Sequence, residues 1–428
     1  MSNGFYDALE VQEPAERELN LFTTLRSHLR GLVDNVPALQ RQLEGVDITS
    51  LQEREDLAQI PVVRKYELLA QQTQQRQAAT NVTPGDEVNR IFGGFSAVGW
   101  GQASRVYASP GPLFEPEVAR SDYWRFARAM YAAGVRKRML VHNCFSYHFT
   151  PAGSMIETAA HAIGCTVFPA GVGQTEMQVQ AIHDLKPNAY GGTPSFLRII
   201  LERAQEMGVD VSSIKHALFS AEAFPPSLQQ WFKERGVDGY QAYGTADLGL
   251  IAYETPARDG LVLSEDIIVE IVKPGTNEPL PDGEVGEVVV TTLNPDYPLL
   301  RFGTGDLSVI MPSLSPCGRT NRRIRGWMGR ADQSAKVRGA MVHPSLVDQV
   351  VKRHPEVSKA RLVVTGSMGK DELALHVEVA EGATDSLKQG LIESIKQIIK
   401  LRGDVVFKAP GELNNDGLVI EDARSYEC

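Results

Sequence analysis

The sequence predicts an α/β protein with a large amino-terminal domain and a small α+β carboxyl-terminal domain. Between about 120 and 250, short apolar runs alternate with segments of helical periodicity, which predicts a mainly parallel sheet covered by helices. After Asp259 β-branched runs are separated by Pro- and Gly-rich turns, which predicts antiparallel strands. A further change of pattern near 332 divides the chain into domains 1–331 and 332–428.

Each predicted element follows from its local pattern. Residues 15–42 carry apolar side chains at helical spacing and predict an amphipathic helix that docks on a larger body. The alternating region predicts helices near 123–133, 155–163, 177–185 and 194–207, and strands near 139–141, 165–168, 189–191 and 214–219. The antiparallel strands are predicted at 267–272 and 285–292. The last domain is predicted as a split β-α-β unit with helices 345–353 and 386–400 and strands 360–365, 372–379 and 404–407.

Composition narrows the class of protein. The 428 residues are 43% hydrophobic and 22% charged, which is typical of a soluble protein of two or three domains. A net charge of −10 argues against a nucleic-acid-binding surface. The four cysteines are widely spaced and predict reduced thiols. The chain shows no secretory signal and no uncharged run suited to a membrane span, so we expect a cytoplasmic protein with no membrane partner.

Three short polar signatures stand in order in the second half of the chain. They are Tyr243-Gly244-Thr245-Ala246-Asp247, Thr304-Gly305-Asp306 and Gly329-Arg330-Ala331-Asp332. Glycine permits close backbone approach, hydroxyl and amide groups hold phosphate, and aspartate holds sugar hydroxyls or a metal ion. Taken singly, the first is better explained by a tight turn, and the second is equally explained by a β-turn with an Asx bond. Their order and spacing favour a pocket for a nucleotide-linked acyl group.

These signatures resemble those of the phenylacetate–CoA ligase family, which belongs to the adenylate-forming, AMP-binding superfamily. Further segments extend the resemblance over nearly the whole chain: Phe5-Tyr6-Asp7, Gly191-Gly192-Thr193-Pro194-Ser195, Ser220-Ala221-Glu222, Arg325-Gly326-Trp327-Met328 and Lys336-Val337-Arg338-Gly339. The resemblance implies an enzyme that activates an aryl or arylacetic acid with ATP. The acyl-adenylate then passes to coenzyme A, and AMP is released. ATP/AMP, Mg²⁺ and coenzyme A are the implied cofactors, and a homodimer is suggested.

The resemblance assigns nucleotide-site roles to residues of the signatures. Asp306 would bind the ribose hydroxyls, and Asp247 would hold Mg²⁺ where the family usually has a glutamate. Arg330 would contact the nucleotide, and Asp332 would be the hinge of the small domain. The implied catalytic residues are Thr245, Asp247 and Arg330. The implied nucleotide-binding residues are Ser109, Gly111, Ala221, Glu222, Ala223, Tyr243, Gly244, Thr245, Asp306 and Arg330.

An acyl pocket is implied by the loop after the first predicted strand of the alternating region. Its expected residues are Phe145, Tyr147, His148, Phe149 and Ala221. His148 stands where the family usually has glycine. Two interpretations of it stay open: a side chain that selects a polar or acidic ring substituent, and a core histidine bonded to a backbone carbonyl.

One departure from the family pattern lies in the phosphate loop, at residues 107–116. Pro110 and Pro112 have no N–H group to donate, and the family's lysine is absent. Glu115 would repel a polyphosphate, which leaves Ser109 and the Gly111 amide as donors. We therefore expect weak binding of the β- and γ-phosphates.

The second departure is Leu418, which stands where the family has its adenylation lysine. Leucine cannot pair with the negative charge that develops during adenylation, so weakened adenylation is expected. Three interpretations follow from the sequence. The first is an acid–CoA ligase with impaired adenylation. The second is an adenylating enzyme with another acceptor, and the third is a non-catalytic protein that binds acyl-adenylate, AMP or acyl-CoA.

Overall fold

The computed structural model describes residues 4–78, 85–331, 333–367, 370–379, 383–414 and 418–424. The chain forms two compact units. The first comprises the residues up to Phe224 together with Gln229–Met328, and the second comprises Pro225–Leu228 together with the residues from Gly329 onward. The units divide a few residues before the domain boundary predicted from the sequence.

The helices of the first unit are α1 (Pro14–Leu32), α2 (Pro37–Gln42), α3 (Lys65–Ala78), α4 (Glu87–Arg90), α5 (Ala127–Ala132), α6 (Ala152–Ile163), α7 (Thr175–Leu185), α8 (Pro194–Met207) and most of α9 (Pro226–Glu234). The first residues of α9, up to Leu228, are assigned to the second unit. The single helix expected over 15–42 is wrong, because α1 ends at Leu32 and α2 begins at Pro37. A proline fits the first turn of a helix, where its missing N–H is not needed, but not the interior of one.

Strands of the first unit form two main sheets and one hairpin. They are β1 (Val63–Arg64), β2 (Ala103–Ser109), β3 (Leu113–Val118), β4 (Leu140–Asn143), β5 (Thr166–Phe168), β6 (Ala189–Gly192), β7 (His216–Phe219), β8 (Asp238–Thr245), β9 (Gly249–Glu254), β10 (Leu261–Leu263), β11 (Ile267–Val272), β12 (Gly286–Thr292), β13 (Phe302–Ser308), β14 (Ile310–Met311) and β15 (Arg323–Ile324). The larger sheet has the order β14-β15-β10-β9-β8-β7-β6-β4-β5, and the smaller has the order β1-β13-β12-β11. β2 and β3 form the hairpin.

In the larger sheet, strand pairing switches from parallel to antiparallel at β8. Strands β5, β4, β6, β7 and β8 are parallel, whereas β9, β10, β15 and β14 continue antiparallel. Residues of β6 and β9 are buried throughout, as expected for strands with both faces covered. The predicted α/β class is confirmed. The carboxyl ends of the parallel strands share one edge of the sheet, and this is where ligands bind in open α/β sheets.

The second unit is a small α+β fold. Its elements are β16 (Ala335–Val337), β17 (Ala340–Val342), α10 (Pro344–Val351), β18 (Val357–Ser367), β19 (Lys370–Val379), α11 (Asp385–Ile398), β20 (Asp404–Lys408) and β21 (Ile420–Asp422). Four of the strands pair in the order β20-β19-β18-β21, and α10 and α11 contribute buried apolar side chains to the same core. Across the described ranges of both units, no helix is long and apolar enough to cross a membrane.

Candidate nucleotide and acyl site

Loops at the carboxyl edge of the parallel sheet are joined by hydrogen bonds. The Glu222 carboxylate, after β7, accepts the backbone N–H of Ser195 at the start of α8 at 3.3 Å. The Ser220 hydroxyl donates to the carbonyl oxygen of Ala242 in β8 at 2.8 Å. Ala221 has a φ of 70°, a left-handed conformation that is unfavourable for alanine. Strain of this kind concentrates at ligand sites. Ala221 and Glu222 are exposed, and the neighbouring Ala223 is half-buried.

The first two signatures meet although they lie in different sheets. Tyr243 is in β8 and Asp306 is in β13, and the Tyr243 hydroxyl donates to Asp306 Oδ2 at 2.8 Å. The indole N–H of Trp327 donates to Asp306 Oδ1 at 3.1 Å. These two donors orient the Asp306 carboxylate. The β-turn alternative for 304–306 is wrong, because Thr304 lies within the same strand.

The rest of the first signature shapes the end of β8. A Cβ atom on Gly244 would lie 2.6 Å from the carbonyl oxygen of Gly249, so only glycine fits between β8 and β9. The Thr245 hydroxyl accepts the backbone N–H of Leu248 at 3.2 Å and closes the turn after the strand. This turn carries Asp247 into a buried position. A tight turn therefore explains only the residues that follow Thr245 in this signature, since Tyr243, Gly244 and Thr245 lie in β8.

Asp247 belongs to a charged cluster that the sequence did not reveal. Lys65 Nζ, at the start of α3, donates to Asp247 Oδ2 at 2.9 Å and lies 3.4 Å from the hydroxyl oxygen of Ser109. The Ser109 hydroxyl donates to Glu115 Oε1 at 2.6 Å. Burial, and next the neighbouring Asp247 carboxylate, raise the pKa of Glu115 well above its ordinary value. The hydroxyl that was expected to donate to phosphate is thus bonded to Glu115.

The predicted phosphate loop is the turn of a β-hairpin. Ser109 is the last residue of β2 and is buried, whereas Gly111 lies in the exposed turn before β3. Lys65 places an ammonium group beside this hairpin, whose own sequence lacks the lysine of the family pattern. Its separation from Asp247 is 182 residues, so no local spacing pattern could have identified it.

The expected acyl-pocket residues have different surroundings. Phe145 is buried in the core, and the Tyr147 hydroxyl accepts from Asn143 Nδ2 and donates to Glu157 Oε2, both at 2.8 Å. Burial, and next Glu157, raise the pKa of Tyr147, which keeps it a neutral tether between its loop and α6. His148 is exposed, so the core interpretation of this histidine is wrong.

Phe149 is another exposed residue of the expected acyl pocket. Its side chain is 80% exposed, and its φ is 63°. The carbonyl oxygen of Phe149 accepts the backbone N–H of Ala108 in β2 at 2.8 Å. The acyl loop and the predicted phosphate hairpin are therefore neighbours.

The remaining predicted site residues belong to the second unit. The Arg330 guanidinium donates through Nε to the Ser334 hydroxyl at 3.0 Å. Leu418 is 41% exposed and lies just before β21. The N–H of Val419, the residue between Leu418 and the strand, donates to Gln333 Oε1 at 2.8 Å. Asp332, the predicted hinge, lies outside the described residues.

Comparison with known proteins places this fold among adenylate-forming enzymes. Residues 122–294 match the family model described as AMP-binding enzyme. A 2-hydroxyisobutyryl-CoA ligase, solved with 2-HIB-AMP and CoA, superposes with a TM-score of 0.80 at 24% identity, covering 99% of this chain and 93% of that one. At this identity the superposition shows the shared fold.

Closer sequence relatives cover most of the chain. The phenylacetate-coenzyme A ligase of Thermus thermophilus is 33% identical over 366 residues, which are 81% of this chain and 78% of the relative. The enzyme of the same name from Aromatoleum evansii is 30% identical over 421 residues, which are 93% of this chain and 91% of the relative. The chain therefore belongs to the phenylacetate–coenzyme A ligase family of AMP-binding, adenylate-forming enzymes.

Proposed function

We propose that this protein is an acid–thiol ligase that uses ATP to activate an aromatic carboxylic acid and transfers the acyl group to coenzyme A. The observation that carries the proposal is the Asp306 carboxylate, held by Tyr243 and Trp327 beside the carboxyl edge of the parallel sheet. Relatives that cover most of the chain bear the name phenylacetate-coenzyme A ligase, which supports the same chemistry.

The reaction has two steps. The acid's carboxylate oxygen attacks the α-phosphorus of ATP, the bond to the bridging oxygen breaks, and pyrophosphate leaves. The thiol sulfur of coenzyme A then attacks the acyl carbon, the thiol proton is lost, and AMP leaves with the electron pair of the broken C–O bond. In this scheme Asp306 binds the ribose hydroxyls, Tyr243, Gly244 and Thr245 line the adenine and α-phosphate, and Arg330 contacts the nucleotide.

Further nucleotide contacts come from the loop Ala221, Glu222 and Ala223 and from the hairpin at Ser109 and Gly111. Asp247 fits a metal-ligand role, because its Oδ1 is buried without a hydrogen-bond partner among the described residues. Mg²⁺ bound there would neutralise charge on the phosphates of ATP. The acyl group would lie by the loop of Phe145, Tyr147, His148 and Phe149, next to Ala221, and the exposed His148 would face a polar or acidic ring substituent.

Domain movement belongs to the same proposal. Domains 1–331 and 332–428 would reorient about Asp332 between the two steps. A homodimer is proposed from the family relationship, and a cytoplasmic location from the reduced thiols. Cys144, Cys165 and Cys317 are free thiols.

A panel of aryl and arylacetic acids tests the function. With ATP, Mg²⁺ and coenzyme A we expect acid-dependent release of pyrophosphate and AMP, and an acyl-CoA detected by mass spectrometry. Pyrophosphate release without acyl-CoA would favour a different acceptor. If no acid gives AMP or pyrophosphate, with or without coenzyme A, the ligase proposal fails.

The Asp306→Asn variant tests the nucleotide site. Asparagine keeps the shape but loses the charge-assisted hydrogen bonds to the ribose, so we expect the KM for ATP to rise about ten- to a hundred-fold. Steady-state kinetics with saturating acid measure this change. Asp296→Asn is the matched control, because Asp296 forms only a partly exposed ion pair with Arg120. Equal KM values for the two variants would contradict the assignment.

A second candidate function is binding of acyl-adenylate, AMP or acyl-CoA with little or no adenylation. The bonding of Ser109 to Glu115 favours it, because a phosphate would have to displace that carboxylate. Thermal unfolding distinguishes the candidates. Stabilisation by AMP and acyl-CoA, but not by ATP with Mg²⁺, would favour the binding protein.

A further inference from the structure

One buried amide side chain joins two segments at the carboxyl edge of the parallel sheet. Gln178 lies in α7 and is 3% exposed. Its Nε2 atom donates to three carbonyl oxygens of the β5–α7 loop (residues 169–174). They are those of Ala170 at 3.3 Å, Gly171 at 3.2 Å and Gly173 at 3.2 Å. The loop is therefore folded around this amide group.

The oxygen of the same amide faces β4. Gln178 Oε1 accepts from His142 Nε2 at 2.6 Å and from Cys144 Sγ at 3.6 Å. Because the amide nitrogen already faces three acceptors, the amide oxygen is the atom that faces His142, and the ring proton lies on Nε2. Burial lowers the pKa of His142 to about 4, so the ring is neutral at pH 7. Gln178 thus holds the residues on both sides of Asn143.

Asn143 connects this arrangement to the acyl loop (residues 145–149). Its backbone carbonyl oxygen accepts the N–H of Gly171 at 3.0 Å, and its Nδ2 donates to the Tyr147 hydroxyl at 2.8 Å. Successive side chains of a strand point to opposite faces. The carboxyl end of β4 is therefore fixed by Gln178 on one face and by the side chain of Asn143 on the other.

Apolar packing does not fix the outer part of either loop. Val172 in the β5–α7 loop and Phe149 in the acyl loop are both exposed. The positions of these parts therefore depend on hydrogen bonds, and a buried polar network holds one geometry only when each of its members has its partners.

We propose that Gln178 is a positioning residue of the acyl site. Through one amide it holds the β5–α7 loop against the end of β4 and thereby sets the position of the acyl loop. Its hydrogen bonds go to His142, Cys144 and the β5–α7 loop, so it acts on the acid only through other residues. The inference rests on the proposed function, because the acyl loop is the expected site of the acid.

Steady-state kinetics of Gln178→Met test this role. Methionine has a similar length but can neither donate to the loop nor replace the amide oxygen at β4. With the acid that the panel identifies, we expect kcat/KM for the acid to fall about ten- to a hundred-fold, because a substrate misplaced by about 1 Å reacts more slowly by up to this factor. The KM for ATP is expected to change little, since Tyr243 and Asp306 lie on β8 and β13.

Gln42→Met is the matched control for a general loss of stability. Gln42 is also buried, and its Nε2 donates to the carbonyl oxygens of Pro61 and Leu300 at 2.8 and 2.9 Å. Losing these two hydrogen bonds is expected to lower the unfolding temperature. The variant is expected to keep the wild-type kcat/KM for the acid.

Gln178→Glu separates hydrogen bonding from shape. Glutamate has nearly the same shape, but it places an oxygen where the amide nitrogen faced three carbonyl oxygens. We expect this variant to be impaired like Gln178→Met, and wild-type activity in it would contradict the proposal. If Gln178→Met does not fold, Gln178→Glu takes its place in all measurements.

A measurement without substrate tests the geometry by itself. The thiol of Cys144 is bonded to Gln178, whereas the thiol of Cys165, also buried, donates to the carbonyl oxygen of Arg136. In Gln178→Met we expect several-fold faster alkylation of Cys144 and several-fold faster deuterium uptake by residues 169–174, because local opening becomes easier. Alkylation of Cys165 is expected to keep the wild-type rate.

Unchanged deuterium uptake by residues 169–174, or equal losses of kcat/KM for the acid and for ATP, would overturn the proposal. Faster alkylation of both cysteines would also overturn it, since that result shows a general loosening of the fold. If the loop opens as expected but the wild type activates no acid, the support of the loop by Gln178 stands and the proposed function is contradicted.

Discussion

Replacing Leu418 with lysine is expected to raise the rate of adenylate formation by about a hundred- to a thousand-fold. A preorganised positive charge at a developing negative charge contributes roughly 3–4 kcal/mol to catalysis, and the family pattern places a lysine at this position. Leu418 is 41% exposed, so the longer side chain requires no buried space. Single-turnover measurement of pyrophosphate release, with the acid that the panel identifies, gives the rate.

The matched control for this gain is Leu185→Lys. Leu185 is an exposed leucine at the end of α7, so this variant adds the same charge away from the proposed site. Its rate is expected to equal that of the wild type. If Leu418→Lys also leaves the rate unchanged, the chain is not merely a slowed ligase, and the binding function gains support.

Replacing Lys65 with methionine is expected to lower the rate of adenylation about a hundred-fold and to raise the KM for ATP. The ammonium group lies 2.9 Å from Asp247 and 3.4 Å from Ser109, beside a hairpin whose prolines cannot donate to phosphate. Binding of AMP, which has no β- or γ-phosphate, is expected to change little. Kinetics with ATP and calorimetric binding of AMP separate these two effects.

Two variants complete the Lys65 test. Lys65→Arg keeps the positive charge and is expected to restore part of the activity. Lys273→Met removes an exposed lysine whose contact with Glu278 is long, at 3.8 Å, and is expected to behave like the wild type. A Lys65→Met enzyme with unchanged KM for ATP and unchanged rate would show that the ammonium group serves only the ion pair with Asp247.

Local patterns identified several elements of the fold. The helix at 194–207 and the strand at 267–272 have the predicted bounds, because periodicity and β-branched composition act over a few neighbouring residues. The break between α1 and α2 was missed because apolar residues continue at helical spacing on both sides of Pro37, although proline begins a new helix there.

The candidate site was partly predictable. The signatures identified Tyr243 and Asp306 as candidate site residues from their residue types, although no strand was predicted over 302–308, where β13 lies. What they could not show was that Tyr243 and Asp306 touch, because the two strands belong to separate sheets. His148 was left with two interpretations for a related reason: whether a loop side chain faces the core depends on how the loop packs.

By itself the sequence indicated the α/β class, the family and the residue types of the candidate nucleotide site, including the absence of the family's lysines from the phosphate loop and from position 418. Only the tertiary structure decided that Lys65 lies beside Asp247 and that the Ser109 hydroxyl is bonded to Glu115. The physical reason is that charge compensation in a buried cluster depends on distance in space. Lys65 and Asp247 are far apart in the chain, so no local sequence pattern indicates that they are in contact.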